Sequence, residues 1–282
     1  PNSGRIERPA VYEEATGLVR LPLTLGPQGS VFVVFRKKAL AKTPQLVSGT
    51  RDGKEILGTK AVPQTVSMAP LKLTRKADGE IMAHASLAGN YELMFADGRT
   101  RQLKVPSVPA PVEIAGPWEV SFAPGWGAPE KVTFDQLTDW TNRPENSIKY
   151  FSGHATYRKT FELSPSQIGN QKSTIILDLG DVRDLATVRV NGREFATLWL
   201  APWQLDISSA VKPGSNSLEI TVVNPWNNRL MGDAALPAAE RKTYLTTQSV
   251  TSTTPLLPAG LLGPVTLHFP VTMTATRENS QN

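Results

Sequence analysis

The chain has 282 residues, 40% of them hydrophobic and 20% charged, with 23 Pro, 21 Gly and a formal net charge of +5. That length can bury one large core or two ordinary ones, and so many Pro and Gly favour short strands over long helices. No stretch reaches the ~18 uninterrupted apolar residues of a membrane-spanning helix, and the basic excess, confined to the residues before 111, forms no aromatic-interleaved stripe, so neither a membrane span nor a nucleic-acid partner is expected.

In chain order, Ala10 to Phe35 is expected to hold three strands: Val11 to Glu13, Leu18 to Leu25 with period-two alternation, and Val31 to Phe35. Gly26-Pro27-Gln28-Gly29 reads as the turn between the last two. Short runs follow at Val47, Glu55 to Leu57, Val62 to Val66, Leu71 to Leu73, Ile81 to Ala85, Gly89 to Phe95 and Thr100 to Val105. Asp52-Gly53, Asp78-Gly79 and Asp97-Gly98 lie between them, pairs suited to the positive φ of tight turns. Residues 39–110 are therefore expected to form a small β-sandwich of immunoglobulin-like size.

Val105 to Pro111 (VPSVPAP) reads as an extended linker. All six Trp follow it, so the two flanking cores should differ in character. The later runs are Trp118 to Phe122, Ala155 to Leu163, Ser173 to Leu179, Thr187 to Val190, Glu194 to Leu200, Trp203 to Ile207, Ser217 to Val223 and Val265 to Phe269. Asn191-Gly192 and Pro213 to Asn216 read as turns, and helical stretches are expected only near Asp135 to Thr138 and Pro165 to Gly169. Residues 111–275 thus read as a jelly-roll β-sandwich, and 276–282 as a flexible tail. The expected class is all-β.

Chemistry-bearing residues are sparse. Zero Cys exclude disulfides and thiol catalysis, and His84, His154 and His268 are too widely spaced for a His-x-x-x-His metal site. Glu13 and Glu14 are adjacent on a strand and point to opposite faces, so they make no catalytic pair. Asp178, Asp181 and Asp184 cluster around Gly180 without EF-hand spacing, and turn residues are the simpler reading. Trp118, Trp126 and Trp140 read as packing residues. Trp199, Trp203 and Trp226 sit in loops where a ring can stay open to stack on a pyranose, with Asn227, Asn228, Arg229 and Asp233 at hand for hydroxyls. The plainer alternative is that Arg229 and Asp233 form an ion pair that docks the loop on another domain. Lys149, Tyr150 and His154 are secondary candidates, a lone His more often being structural than catalytic.

Four blocks carry a resemblance: GHATYRKTFEL (Gly153 to Leu163), LDLGDVRDLATVRVNGREFATLW (Leu177 to Trp199), APWQLDISSAVKPGSN (Ala201 to Asn216) and LEITVVN (Leu218 to Asn224). Together they resemble the galactose-binding-like, sugar-binding jelly roll that accompanies many glycoside hydrolases, family 2 among them. GPWEVSFAPGWGAPEKVTFDQLTDWT (Gly116 to Thr141), IKYFSGHATY (Ile148 to Tyr157), NPWNNRLMGD (Asn224 to Asp233) and LLPAGLLGPV (Leu256 to Val265) narrow it. They resemble the C-terminal region of glycoside hydrolase family 106, the α-L-rhamnosidases.

The resemblance implies a bacterial, periplasmic or secreted enzyme in which 1–38 is a strand segment from the end of an upstream domain. It also implies that a catalytic barrel of the same polypeptide lies upstream. Such relatives invert with two carboxylates, often beside calcium, and jelly rolls of this kind often hold a structural calcium ion, here without assigned ligands. No barrel alternation of strands and helices is present in these residues, so the chain alone is not expected to be catalytic. Its expected partners are that barrel and a rhamnose-containing carbohydrate. A free-standing carbohydrate-binding module for plant or algal polysaccharide, and a structural spacer, are the alternatives.

Overall fold

In a computed structural model, residues 6–25, 29–35, 45–59, 68–168, 174–244, 251 and 253–276 are described. The chain is all-β with a few short helices, and it divides into two compact units. One comprises 1–111, 167–176 and 268–282, and the other 112–166 and 177–267. Among the described residues no helix is long and apolar enough to cross a membrane.

The first unit is a small sandwich. One sheet has the order Lys54–Gly58, Leu46–Arg51, Gly89–Phe95, Thr100–Val105, and the other Val271–Thr274, Ile81–Ala85, Leu71–Arg75. Alternation along Ile81–Ala85 buries Ile81, Ala83 and Ala85, which pack with Leu46, Tyr91, Leu93 and Leu103. Asp52 (φ 49°) and Gly53 (φ 79°) close the first hairpin in the left-handed region that their types tolerate.

Three expectations change here. Residues 268–275, assigned to the jelly roll, include a strand of the small sandwich, since Val271–Thr274 pairs with Ile81–Ala85 and buries Ala275 in that core. Val11 is a bridge residue buried beside Leu46, and Glu13–Ala15 and Leu18–Arg20 form a hairpin shorter than the alternation suggested. Val31 to Phe35 is described without strand pairing and with every side chain exposed, so among the described residues its apolar run meets no core. The turn at Gly26 to Gln28, the run Val62 to Val66 and the tail after Thr276 lie outside the described residues.

The second unit is a larger β-sandwich. Its larger sheet has the order Val132–Phe134, Trp118–Phe122, His154–Leu163, Gly214–Val223, Leu185–Val190, Arg193–Glu194, all antiparallel. A second sheet contains Gln204–Asp206, Ile176–Asp178, Thr266–His268 and Val112–Glu113. Asn191-Gly192 closes the hairpin with φ of 49° and 80°. Asn216, 1% exposed, accepts from Lys212 N at 2.9 Å and Asn191 Nδ2 at 2.7 Å, locking that end of the sheet.

Its core is aromatic. Phe122 lies 5.3 Å from Trp140 and 4.8 Å from Phe151, edge to face. Trp140 Nε1 donates to the Tyr157 hydroxyl at 2.6 Å, and Leu261 N donates to the same oxygen at 3.2 Å. Burial pushes the Tyr157 phenol far above its ordinary value. No helix forms at Asp135 to Thr138; the turn is displaced to Trp140–Asn142, where the Asp139 carboxylate accepts from Thr141 N at 2.9 Å.

Candidate functional site

The segment after Gly214–Val223 is where the sequence concentrates aromatic and polar residues. Asn224 is buried; its Oδ1 accepts from Gly153 N at 2.9 Å and its Nδ2 donates to Phe151 O at 2.9 Å. The strand end is thereby tied to the loop before His154. What reads in sequence as a loop is an eight-residue helix, Asn227–Ala234, led by Trp226. Pro225 and the two Asn mark a helix start, but Gly232 lowers helix propensity and masks the rest. Gly232 is required where it stands, because a Cβ there would lie 2.7 Å from Tyr150 Cβ.

Three polar side chains of this helix, Asn228, Arg229 and Asp233, are committed to the chain. Asn228, 2% exposed, donates to Leu257 O at 2.7 Å and accepts from Leu257 N at 2.8 Å, pairing like a strand with that segment. Arg229 Nη2 donates to Asp233 Oδ1 at 2.5 Å, and Nη1 to Trp126 O at 3.3 Å. Asp233 Oδ2 accepts from Lys242 N at 2.9 Å and from both Thr243 N and Thr243 Oγ1 at 2.7 Å. Burial by itself raises the Asp233 carboxyl; hydrogen bonds from Thr243 and Arg229 outweigh it and hold the group below the ordinary carboxylate value. Lys242 Nζ donates to Gly125 O at 2.8 Å. Helix, 125–126 loop and 242–243 segment are thus one clamp, from which Trp226 projects 69% exposed with Asn227 beside it.

The other candidates are dispersed. Trp203 is half-buried, and its carbonyl accepts from Leu179 N at 2.9 Å. Trp199 is 49% exposed on the edge of the larger sheet. Lys149 Nζ stands 5.7 Å from the Tyr150 ring centroid, and Tyr150 backs Gly232. His154 opens its strand with an exposed side chain. Sequence reasoning missed Leu185 and Val223, which lie beside His154 and Trp199 on the outward face; only strand register reveals them.

The three aspartates are turn and pairing residues. Asp178 accepts from Gly180 N at 2.9 Å and Gln204 Nε2 at 2.8 Å, and Asp181 pairs with Arg183 at 2.8 Å. Burial pushes the Asp184 carboxyl up, with Arg183 opposing. Among the described residues no three His, Asp or Glu come close enough together to hold a metal ion. Glu13 accepts from Arg20 at 3.2 Å and from Thr59 at 3.3 Å.

Comparison with known proteins agrees with this architecture. Residues 138–252 match the family described as the glycosyl hydrolase 2 galactose-binding domain-like. A Formosa agariphila protein, provisionally named a beta-glucuronidase, is 36% identical over 214 residues, covering 68% of this chain and 18% of that protein. The structure of a rhamnosidase from Novosphingobium sp. PP1Y matches with a TM-score of 0.53 at 27% identity, covering 74% of this chain and 24% of that one. A beta-D-glucuronidase of Dictyoglomus thermophilum matches with a TM-score of 0.41 at 16% identity over 57% of this chain and 28% of its own. The chain thus spans only 18% and 24% of the first two relatives. Residues 138–252 are a galactose-binding-like domain of the glycosyl hydrolase 2 type, in a chain whose relatives are glycosidases.

Proposed function

We propose that this chain is the non-catalytic C-terminal β-region of an α-L-rhamnosidase. In this reading it supports a catalytic barrel of the same polypeptide and contacts the rhamnose-containing glycan. The observation that carries the reading is the likeness to the Novosphingobium rhamnosidase, which extends over 74% of the chain. Residues 138–252, the galactose-binding-like match, are only part of that length. A shared module alone would not account for it.

The chemistry of the described residues supports a binding and scaffolding role. Glycoside hydrolysis by inversion needs a proton donor and a water-activating base ~6.5–9.5 Å apart across the bond. Prominent carboxylates here are instead taken up in pairing: Glu119 and Glu219 with Arg158, Glu194 with Arg189, Glu145 with Arg143 and Asp233 with Arg229. The helical corner at Asn227–Ala234 is a rigid mount for Trp226. An exposed indole on a clamped support suits stacking on a sugar or packing on a neighbouring domain, because little backbone freedom remains to be lost.

The test is the purified chain incubated with an aryl α-L-rhamnoside. It should release no nitrophenol above buffer. Hydrolysis by the chain itself, abolished when one of its carboxylates is replaced, would refute the non-catalytic assignment.

A further inference from the structure

The outward face of the larger sheet is graded in three rows that cross the strands. The first contains Glu119, Arg158, Glu219, Arg189 and Glu194, each opposite the next. The second is a hydroxyl row of Ser121, Thr156, Thr221 and Thr187, extended by Thr197, whose Oγ1 lies 2.8 Å from that of Thr187. The third, at the end of the strands, is His154, Val223 and Leu185. The antiparallel bridge between Ala186 and Leu198 sets Trp199 opposite Leu185, so the row ends on an indole.

The third row is open. Trp199 is 49% exposed, Val223 and Leu185 36% each, and His154 is exposed as well. At the ~4.8 Å spacing of neighbouring strands its four positions extend about 14 Å, longer than a single pyranose ring. On its inner side the threonine row follows immediately, so the apolar positions meet hydroxyls along that edge. A protein interface puts its apolar residues at the centre of a broad patch with a polar rim. A narrow apolar strip beside a line of hydroxyls instead matches a pyranose chain, which presents C–H faces on one side and hydroxyls at its edge.

The charges select among sugars. Arg158 lies 3.9 Å from Glu119 and 3.3 Å from Glu219, Arg189 lies 2.8 Å from Glu194, and Lys131 lies 3.4 Å from Glu119, so the ionic row is balanced within itself. Asp184 borders the apolar row, its amide donating to Val223 O at 2.9 Å, and Arg183 is engaged with Asp181 at 2.8 Å. The cations named in these rows are already engaged, which leaves a uronate there without a ready counter-charge among them.

We propose that His154, Val223, Leu185 and Trp199 form a binding strip for a neutral oligosaccharide, with sugar faces on Trp199, Leu185 and Val223 and hydroxyls toward His154 and the threonine row. The strip shares no residue with the Trp226 clamp, although its His154–Val223 end adjoins it through Asn224. It rests on the carbohydrate part of the functional reading and adds a site and a ligand charge.

Titration calorimetry of the full 282-residue chain tests it. The probes are L-rhamnose, an α-linked rhamnose trisaccharide, a β-linked galactose trisaccharide and glucuronic acid. A neutral trisaccharide should bind about tenfold more tightly than its monosaccharide, because the strip exceeds one ring. Trp199→Ala and Val223→Lys should each weaken binding about tenfold or more, Lys54→Ala at an exposed strand position of the other unit should leave it unchanged, and circular dichroism should report unaltered folds. No heat with either trisaccharide at millimolar concentration, loss that follows Trp226→Ala alone, or glucuronic acid binding as tightly as the neutral sugars would overturn the proposal. Trp199-dependent binding of the galactose trisaccharide alone would uphold the strip and count against the rhamnoside reading. A silent chain within an active rhamnosidase would do the reverse.

Discussion

Replacing Asp233 by Ala removes the centre of the clamp at the helix Asn227–Ala234. Its carboxylate accepts from Arg229, from two backbone amides and from the Thr243 hydroxyl. The side chains of Arg229 and Asp233 are 11% and 3% exposed, so solvent screening reduces their interaction little. Removing one partner of such a buried pair costs about 3–5 kcal/mol, chiefly because the other charge is stranded. The amides of Lys242 and Thr243 lie nearer the surface and regain water, adding little. At ~2–4 °C per kcal/mol for a domain of this size, the melting point should fall by about 10 °C. Asp233→Asn should cost less, since its carbonyl still accepts from the backbone. The folded carboxyl is held below its ordinary value, so its stabilisation is complete above the ordinary carboxylate range and is lost as pH falls through the folded value. Equilibrium urea unfolding followed by Trp fluorescence reads both effects. The gap between the parent and Asp233→Asn should be fully open at neutral pH and close below about pH 4. An Asp233→Ala chain within about 1 kcal/mol of the parent, or a gap indifferent to acid, would refute this reasoning.

Tyr157→Phe should destabilise the galactose-binding-like unit by about 2–4 kcal/mol in the same urea assay, because Trp140 Nε1 and Leu261 N both lose their acceptor in a buried site. A loss below about 1 kcal/mol would mean that the two donors find other partners. Gly260→Ala should cost about 2–4 kcal/mol, since its φ is +102° and a Cβ would lie 2.4 Å from Trp140 Nε1. Near-ultraviolet circular dichroism should show Trp140 displaced; an unchanged spectrum with unchanged stability would contradict the close approach.

Local chemistry was the readable part of the fold. Ile81–Ala85, Gly89–Phe95 and Thr100–Val105 have the bounds expected from their alternation, since each buries alternate residues on one core. Asn191-Gly192 and Asp52-Gly53 adopt the left-handed backbone their types announce. Long-range pairing left no such trace. Val271–Thr274 crosses to Ile81–Ala85 with no local cue, and an alternating strand does not name its neighbour. The apolar run at Val31 to Phe35 has high strand propensity but finds no pairing among the described residues, because propensity is realised only against a facing surface.

The site was legible to the same depth. Arg229 and Asp233 are spaced for one helix face, and they pair. That Asn228 would mimic a strand toward Leu257 depends on a fold contact across 29 residues. Leu185 and Val223 look like ordinary strand residues until register sets them between His154 and Trp199.

The central claim, that these residues serve a rhamnosidase, is tested most directly on the polypeptide encoded by the complete reading frame that contains them. Its hydrolysis of an aryl α-L-rhamnoside is compared with that of an aryl β-D-glucuronide, the two activities named among the relatives. Release of nitrophenol from the rhamnoside and none from the glucuronide is the expected result. Preference for the glucuronide would contradict the account.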